Sequence, residues 1–238
     1  MTTPTTSHSK SYRSKLNDSG GDFRLTTSVF DRNNGPILRH LTPYLNKMNG
    51  YALEIGSGTG QHLSNFAQHF HNIHWQGSDL DELHCKSTDA WAEHYSLDIP
   101  ETLKLDASSN WLQVFEQKKE FELIISMNVI HIAPISVLNG IISNATKLLK
   151  KNGLLIFYGP FKNNNKHNGE GNKIFDQRLK DENPSWGVRC MSSLRELAQN
   201  TELSHFKTIE MPANNHILIF KKLVNQIYGF ILYLDISN

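Results

Sequence analysis

The chain has little of what marks proteins for several common tasks. Only two of its 238 residues are cysteine, Cys85 and Cys190, and they form no Cys-x-x-Cys pair. Such usage writes neither a disulfide framework nor a thiolate metal site, and suits a reducing, cytoplasmic compartment. An excess of charge is also missing. Twenty-four Lys and Arg stand against 23 Asp and Glu, so no broad positive field exists to track a nucleic-acid backbone. The longest apolar run, Ile227–Leu234 ("IYGFILYL"), falls well short of the roughly 20 residues that cross a bilayer. It reads as an added strand or packing tail in a C-terminal extension, residues 223–238. Residues 1–22 lack an apolar h-region and are rich in hydroxyl, glycine and charged residues, so they are expected to be a disordered tail rather than a secretory leader. Their early cations faintly resemble a transit peptide, without the apolar face that one needs.

What is present suffices for one core, expected over residues 23–222: 38% of the chain is hydrophobic. Short β-rich runs alternate with helical patterns, the signature of parallel βαβ units. "YALEIG" from Tyr51 is the first clear strand, and a helix follows over about 61–71 with Leu63, Phe66, Ala67 and Phe70 on one stripe. "IHWQGSD" ends a second strand at Asp79, a helix spans about 82–95, "TLKLD" ends a third at Asp106, and "FELIISMN" ends a fourth at Asn128. "GLLIFYG" is a fifth, while "HFKTIEMP" and "HILIFKK" can pair antiparallel at a sheet edge. The expected fold is α/β: a Rossmann-like, doubly wound, mostly parallel seven-stranded sheet with an antiparallel edge strand and helices on both faces.

Four strands thus end at or just before Gly56, Asp79, Asp106 and Asn128, and open parallel sheets bind ligands beyond the carboxyl ends of their strands. The first loop reads G-x-G-x-G through Gly56, Gly58 and Gly60, with Gln61 where a dinucleotide fingerprint wants its third glycine. Two residues before it, Glu54 sits inside an apolar strand. A pyrophosphate gains nothing from that carboxylate, whereas a ligand ammonium would partner it. S-adenosyl-L-methionine carries an ammonium, a ribose diol and an adenine but no phosphate. Glycines would let the backbone approach its methionyl part, Asp79 would accept from the ribose hydroxyls, and Asp106 from the adenine amine.

"LEIGSGTGQH", with acids at Asp79 and Asp106, resembles the Rossmann-type methyltransferase superfamily. More narrowly, "DRNNGPIL", "HWQGSDLD", "NVIHI", "YGPFK", "FDQRLKDENPSWGVR" and "EMPANNHILIFKK" resemble the methyltransferase-like protein 26 family over about residues 30–222. The resemblance implies S-adenosyl-L-methionine as cofactor, held by Glu54, Gly56, Ser57, Gly58, Gly60, Asp79, Leu80, Asp106, Ala107 and Asn128. It implies no established substrate; a small-molecule methyl acceptor is expected, in a monomer or homodimer. The chain departs from the family pattern at Asp31, usually Glu, at Gly56, often Ala, and in "NGEGNKIFD", which keeps only Asn172 of a Ser-Asn pair.

Methyl transfer is an in-line displacement in which alignment does much of the work, so catalytic residues are few. His131, just past the fourth strand, is the candidate base, against a packed or capping histidine as its bland rival. Tyr158 is a donor or an aromatic wall, with wall preferred. Lys162 and Arg189 are candidates to hold an acidic substrate, against merely solvated cations. Arg32 and Asn33 are expected on a loop ahead of a helix opened by Pro36, touching the cofactor, or in a capping turn with Asn34. Asn214 and Asn215 read as a turn. Twelve histidines, with His69, His71 and His74 close together, show no metal-ligand spacing, and Trp75, Trp91, Trp111 and Trp186 are too scattered for a stacking platform. Three functions stay open: a small-molecule methyltransferase, a catalytically silent cofactor-binding or partner-binding module, and, disfavoured by Gln61 and Glu54, a nicotinamide-dependent reductase.

Overall fold

The computed structural model describes residues 22–115 and 120–223. Both expected tails, 1–22 and 223–238, lie almost wholly outside the described residues, as does the run 227–234.

Seven strands form one sheet. In chain order the elements are α1 (Ser28–Leu45), β1 (Gly50–Ile55), α2 (Gln61–His69), β2 (Ile73–Asp79), α3 (Glu82–His94), β3 (Leu103–Lys104) and β4 (Phe121–Met127). Then come α4 (Ile135–Leu148), β5 (Leu149–Pro160), the small hairpin β6 (Lys162–Asn163) and β7 (Lys166–His167), α5 (Glu170–Glu182), α6 (Met191–Gln199), β8 (Leu203–Met211) and β9 (Asn215–Lys222). The sheet order is β3-β2-β1-β4-β5-β9-β8. Strands β1 to β5 pair in parallel. The hairpin β8–β9 closes one edge, and β9, antiparallel to both β5 and β8, lies second from that edge. Chain order reverses between β1 and β4, which makes their carboxyl ends the crevice where such sheets bind ligands.

Period-two alternation divides the apolar residues between two faces. On one face Ala52, Trp75, Leu123, Ile125, Ile156 and Ile219 pack under α1 and α2 through Ile37, Leu41, Leu45, Leu63 and Phe66. On the other, Leu53, Ile124, Leu155, Phe157, Leu218 and Phe220 pack under α4 and α6. The third strand is shorter than its "TLKLD" pattern suggests and stops at Lys104, because the Asp106 carboxylate accepts the Ser108 N–H at 2.8 Å and turns the chain away.

The segment around Arg32 and Asn33 is helix rather than loop, which corrects the sequence expectation. Thr27 is the cap, its hydroxyl accepting the Val29 N–H at 3.2 Å, and Pro36 and Pro43 lie inside the helix. Pro36 removes one ladder bond, a loss that burial of Ile37, Leu41 and Leu45 on the sheet offsets. Asn34 does not cap; its side-chain oxygen accepts from Asn65 Nδ2 at 2.7 Å and ties α1 to α2. Thr27→Ala is expected to lower stability by about 1 kcal/mol, measured by urea unfolding, with Thr27→Ser near wild type.

Candidate functional site

Strand β1 delivers Glu54 to the face covered by α1 and α2, in register with Gly77 of β2 and Ile125 of β4. Trp75 points the same way, so alternation puts Asp79 on that face too. The two carboxylates and the glycine turn therefore share one rim. Glu54 is 1% exposed, and its Oε2 has no hydrogen-bond partner. Burial pushes its pKa up to about 8, against a bond from Ser57 that lowers it and with the Asp79 charge adding to the rise. In this ligand-free state the carboxyl is held largely neutral, and a cation beside it would draw the proton off.

The turn is fixed to β2 by four bonds, one of them from the Ser78 N–H to the Ser57 hydroxyl at 3.3 Å. The N–H groups of Gly56 and Ser57 both donate to the Ser78 carbonyl, at 2.8 and 2.9 Å, and the Gly58 N–H donates to Asp79 Oδ2 at 2.9 Å. Asp79 Oδ1 accepts from the Asp81 N–H at 2.9 Å, with His84 Nδ1 at 3.3 Å. Gly58 and Gly60 take left-handed conformations, φ 58° and 79°. A Cβ at Gly60 would strike the Thr88 backbone at 2.4 Å, whereas one at Gly58 would meet nothing within 4 Å. Gly60 is thus a packing requirement, and Gly58 presents open backbone to whatever occupies the rim. Gly60 also starts α2 with no side-chain cap, leaving first-turn amides directed at the same place.

Other expected residues are distributed less uniformly. Ser57 and Ala107 are buried beside the rim and Leu80 projects beyond Asp79 with its side chain exposed. Asp106 is exposed and spends Oδ1 on the N–H and hydroxyl of Ser108. Asn128, at φ 60°, turns the chain at the end of β4, and its N–H donates to the Tyr158 carbonyl at 2.8 Å. The Tyr158 ring is buried against the α1 face; burial pushes its hydroxyl up to about 12, despite a bond to Asn215 and the nearby Arg32 charge. At that value the hydroxyl keeps its proton at neutral pH. Arg32 itself is exposed on α1, and Asn33 half-buried.

Three expectations are corrected. Lys162 pairs with the buried Asp176 at 2.8 Å and is not free for an acidic substrate. Arg189 is occupied as well, donating to the carbonyls of Ile130 at 2.9 Å, Ala133 at 2.5 Å and Ser185 at 3.0 Å, a clamp on the loop after β4. His131 is 1% exposed and packs edge-on to Phe161, and burial with the Arg189 charge pushes its pKa down to about 3. The Arg189 N–H lies 3.4 Å from its Nδ1, and a bond to the Gly187 backbone raises its pKa against the burial. A ring this deeply buried and this weakly basic is not a general base in this arrangement.

Sequence reasoning missed two supports of the rim. Gln61, noted only for not being glycine, accepts the Thr27 N–H at 2.9 Å and the Thr59 hydroxyl at 3.2 Å. Ser87 links the Leu25 N–H, at 2.8 Å, to the Thr59 carbonyl, at 2.8 Å, so the segment before α1 is strapped to the glycine loop. Neither has a signal in spacing. Asp176 was visible only as part of a string, yet Lys162, His167, Lys180 and the Val188 N–H all converge on it. Burial would raise its pKa, but these donors together hold it well below the usual carboxylate range. Among the described residues no cluster of three or more His, Cys, Asp or Glu is arranged for a metal, both cysteines are free and buried, and no helix is long and apolar enough to cross a membrane.

This geometry, acids and a glycine turn at the carboxyl ends of a β3-β2-β1-β4-β5 sheet, is that of the methyltransferase-type Rossmann-like fold. Residues 24–222 match the family described as protein of unknown function DUF938, and the chain belongs to that family. Among solved structures, an O-methyltransferase family protein from Burkholderia thailandensis is similar with a TM-score of 0.66 at 11% identity, over 80% of this chain and 57% of that one. A protein from Pyrococcus horikoshii OT3 gives a TM-score of 0.67 at 16% identity, over 90% of this chain and 98% of its own. Human N-acetylserotonin methyltransferase, solved in complex with SAM, gives 0.63 at 13% identity, over 82% and 53%. The chain therefore spans little more than half the length of the first and third, and at these identities the likeness is one of fold.

The Glu54 carboxyl gives a pH test of the site. Its folded pKa lies above the ordinary carboxylate value, so the folded protein keeps a proton that the unfolded chain releases, and stability falls as pH rises from about 4.5 to about 8. Melting temperature across that window should decline in the ligand-free protein, and Glu54→Gln should flatten the decline; equal slopes in the two proteins would refute the assignment.

Proposed function

We propose that the chain is an S-adenosyl-L-methionine-dependent methyltransferase acting on a small molecule. The observation that carries this reading is the buried, unpartnered Glu54 oxygen beside the open backbone of Gly58: a rim that fits a cation without a phosphate. Glu54 would receive the ligand ammonium, directly or through water, and the uncapped amides at the start of α2 its carboxylate. Asp79, whose oxygens keep lone pairs beyond the amides they already accept, would take the ribose hydroxyls, with Leu80 against the purine and Asp106 or its loop at the amine. Arg32 and Asn33, now on α1, would close over the methionyl part. When bound, the cofactor supplies an electrophilic methyl group on a sulfonium. The chain's own contribution is to fix the acceptor beyond Asn128 and to exclude water with the Tyr158 wall, so that alignment rather than proton abstraction carries the rate. The narrower kinship with methyltransferase-like protein 26, read from "YGPFK" and "MPANN", belongs to the same reading, as do a cytoplasmic setting and a monomer or homodimer.

Calorimetry with S-adenosylhomocysteine and with NADH tests it. Binding of the first and not the second is expected; the reverse would sink the proposal. Asp79→Ala should keep the fold and weaken S-adenosylhomocysteine by roughly 1–3 kcal/mol, the loss of hydrogen bonds to a charged group. Gly58→Val should block the backbone approach, and wild-type affinity in that variant would count against it. Methyl transfer from labelled donor into small-molecule extracts separates an enzyme from a silent binding module.

A further inference from the structure

A groove of about 980 Å³ lies between α4 and the C-terminal end of α6, on the sheet face opposite Glu54. Its apolar lining is Leu112, Ile142 and Leu197, and the first and last of these stay half-buried at the edge of the core cluster. Asn139, Ser143 and Thr146, at helical spacing along one side of α4, add amide and hydroxyl groups. Glu202 and Lys222 line the end nearest Leu149, whose carbonyl accepts from Lys222 Nζ at 2.8 Å.

The described chain leaves the fold at that end. Strand β9 stops at Lys222, opposite Leu203 of β8, and the Leu223 N–H donates to the Glu202 carbonyl at 2.8 Å. Leu223 is 51% exposed. Residues 224–238 follow, outside the described residues; they contain the longest apolar run of the sequence, 227–234, and Asp235 is their one charged residue. Each Å² of apolar surface left in water forgoes about 25 cal/mol, so a run of this kind needs a cover. Eight residues span about 12 Å as helix and about 26 Å extended, and the eight-residue rise from Lys147 back to Asn139 on α4 is about 12 Å, so either form reaches along the groove. The other surface open to the run near this exit is the outer edge of β8. That edge is guarded by a register shift between His205 and Lys207 and by the Lys207 charge itself.

We infer that residues 227–234 dock in the α4–α6 groove of their own chain, covering Leu112, Ile142 and Leu197, with the Ser143 and Thr146 hydroxyls as partners for their backbone. The short connection 224–226 favours this occupant over a second copy, because a tethered segment meets its site at an effective concentration of roughly millimolar. The C-terminal extension is then an internal clasp that joins α4 to α6. It is independent of the methyl-transfer reading, since the groove lies on the sheet face away from Glu54 and Asp79.

Two measurements on the full chain test this. Asn139→Cys, exposed at the end of the groove away from the exit, takes a benzophenone maleimide, the two native cysteines being buried. Irradiating an equal mixture of isotopically light and heavy protein should give cross-links from position 139 to 227–234 within one chain. Cross-links between light and heavy chains, cross-links to other segments only, or none would overturn the inference. Hydrogen exchange of the wild type should show amides of 227–234 at least about tenfold slower than in a free peptide of that sequence. Leu197→Lys, which sets a charge in the apolar lining, should return them to the peptide rate and leave β1 to β5 as protected as before. Peptide-like rates in the wild type, or undiminished protection in Leu197→Lys, would refute it. If that variant does not fold, the cross-link and the wild-type exchange decide.

Discussion

Glu54 lies inside a strand, beneath a helix, with an oxygen that nothing in the protein satisfies, and the structure around it is organised to keep it so. A buried carboxylate without a partner costs several kcal/mol, roughly, which is why the group holds a proton in the ligand-free state. The neighbouring constraints act in the same place. Asp79 cannot relieve Glu54, being itself acidic, and it is committed to the amides of Gly58 and Asp81. The glycine loop cannot collapse onto the carboxyl, because Ser78 and Asp79 hold its amides from the β2 side. What is left is a rigid, electrically unbalanced rim.

The opposite face of that rim is built by different means. There the segment between β5 and β8 folds over the strand ends and is anchored by one buried carboxylate, Asp176, shared among Lys162, His167, Lys180 and the Val188 N–H. Arg189 continues the anchorage by seizing carbonyls of the loop after β4, and the Gly187 N–H donates to the His131 carbonyl at 2.9 Å. Cations that look available in a string of letters are internal ties. One face thus carries an unsatisfied acid, and the other is closed by internal ties.

Much of the fold was legible because it rests on alternation and on strand ends. The runs at Tyr51, Ile73, Phe121 and Gly153 became adjacent parallel strands, and Glu54 and Asp79 share a face because side chains alternate with a period of two. Errors arose where a local signal competed with tertiary burial. Pro36 reads as a helix start, but Thr27 caps nine residues earlier and the apolar stripe of Ile37, Leu41 and Leu45 carries the helix through the proline. Asp106 continues a strand pattern, but its side chain prefers its own Ser108 amide. His131, Lys162 and Arg189 were read by residue type, and type does not reveal whether a nitrogen already has a partner.

The position of β9 has a consequence for how the molecule is made. It is the last strand among the described residues, yet it lies between β5 and β8 and is bonded along both sides. During synthesis β8 leaves the ribosome before the strand that connects it to the sheet, so it has no place to dock, and β5 keeps a raw edge until Lys222 has emerged. The half of the molecule bearing Glu54 and Asp79 can assemble from β1 to β5 early, whereas the half closed by β8 and β9 waits for the later of those two strands.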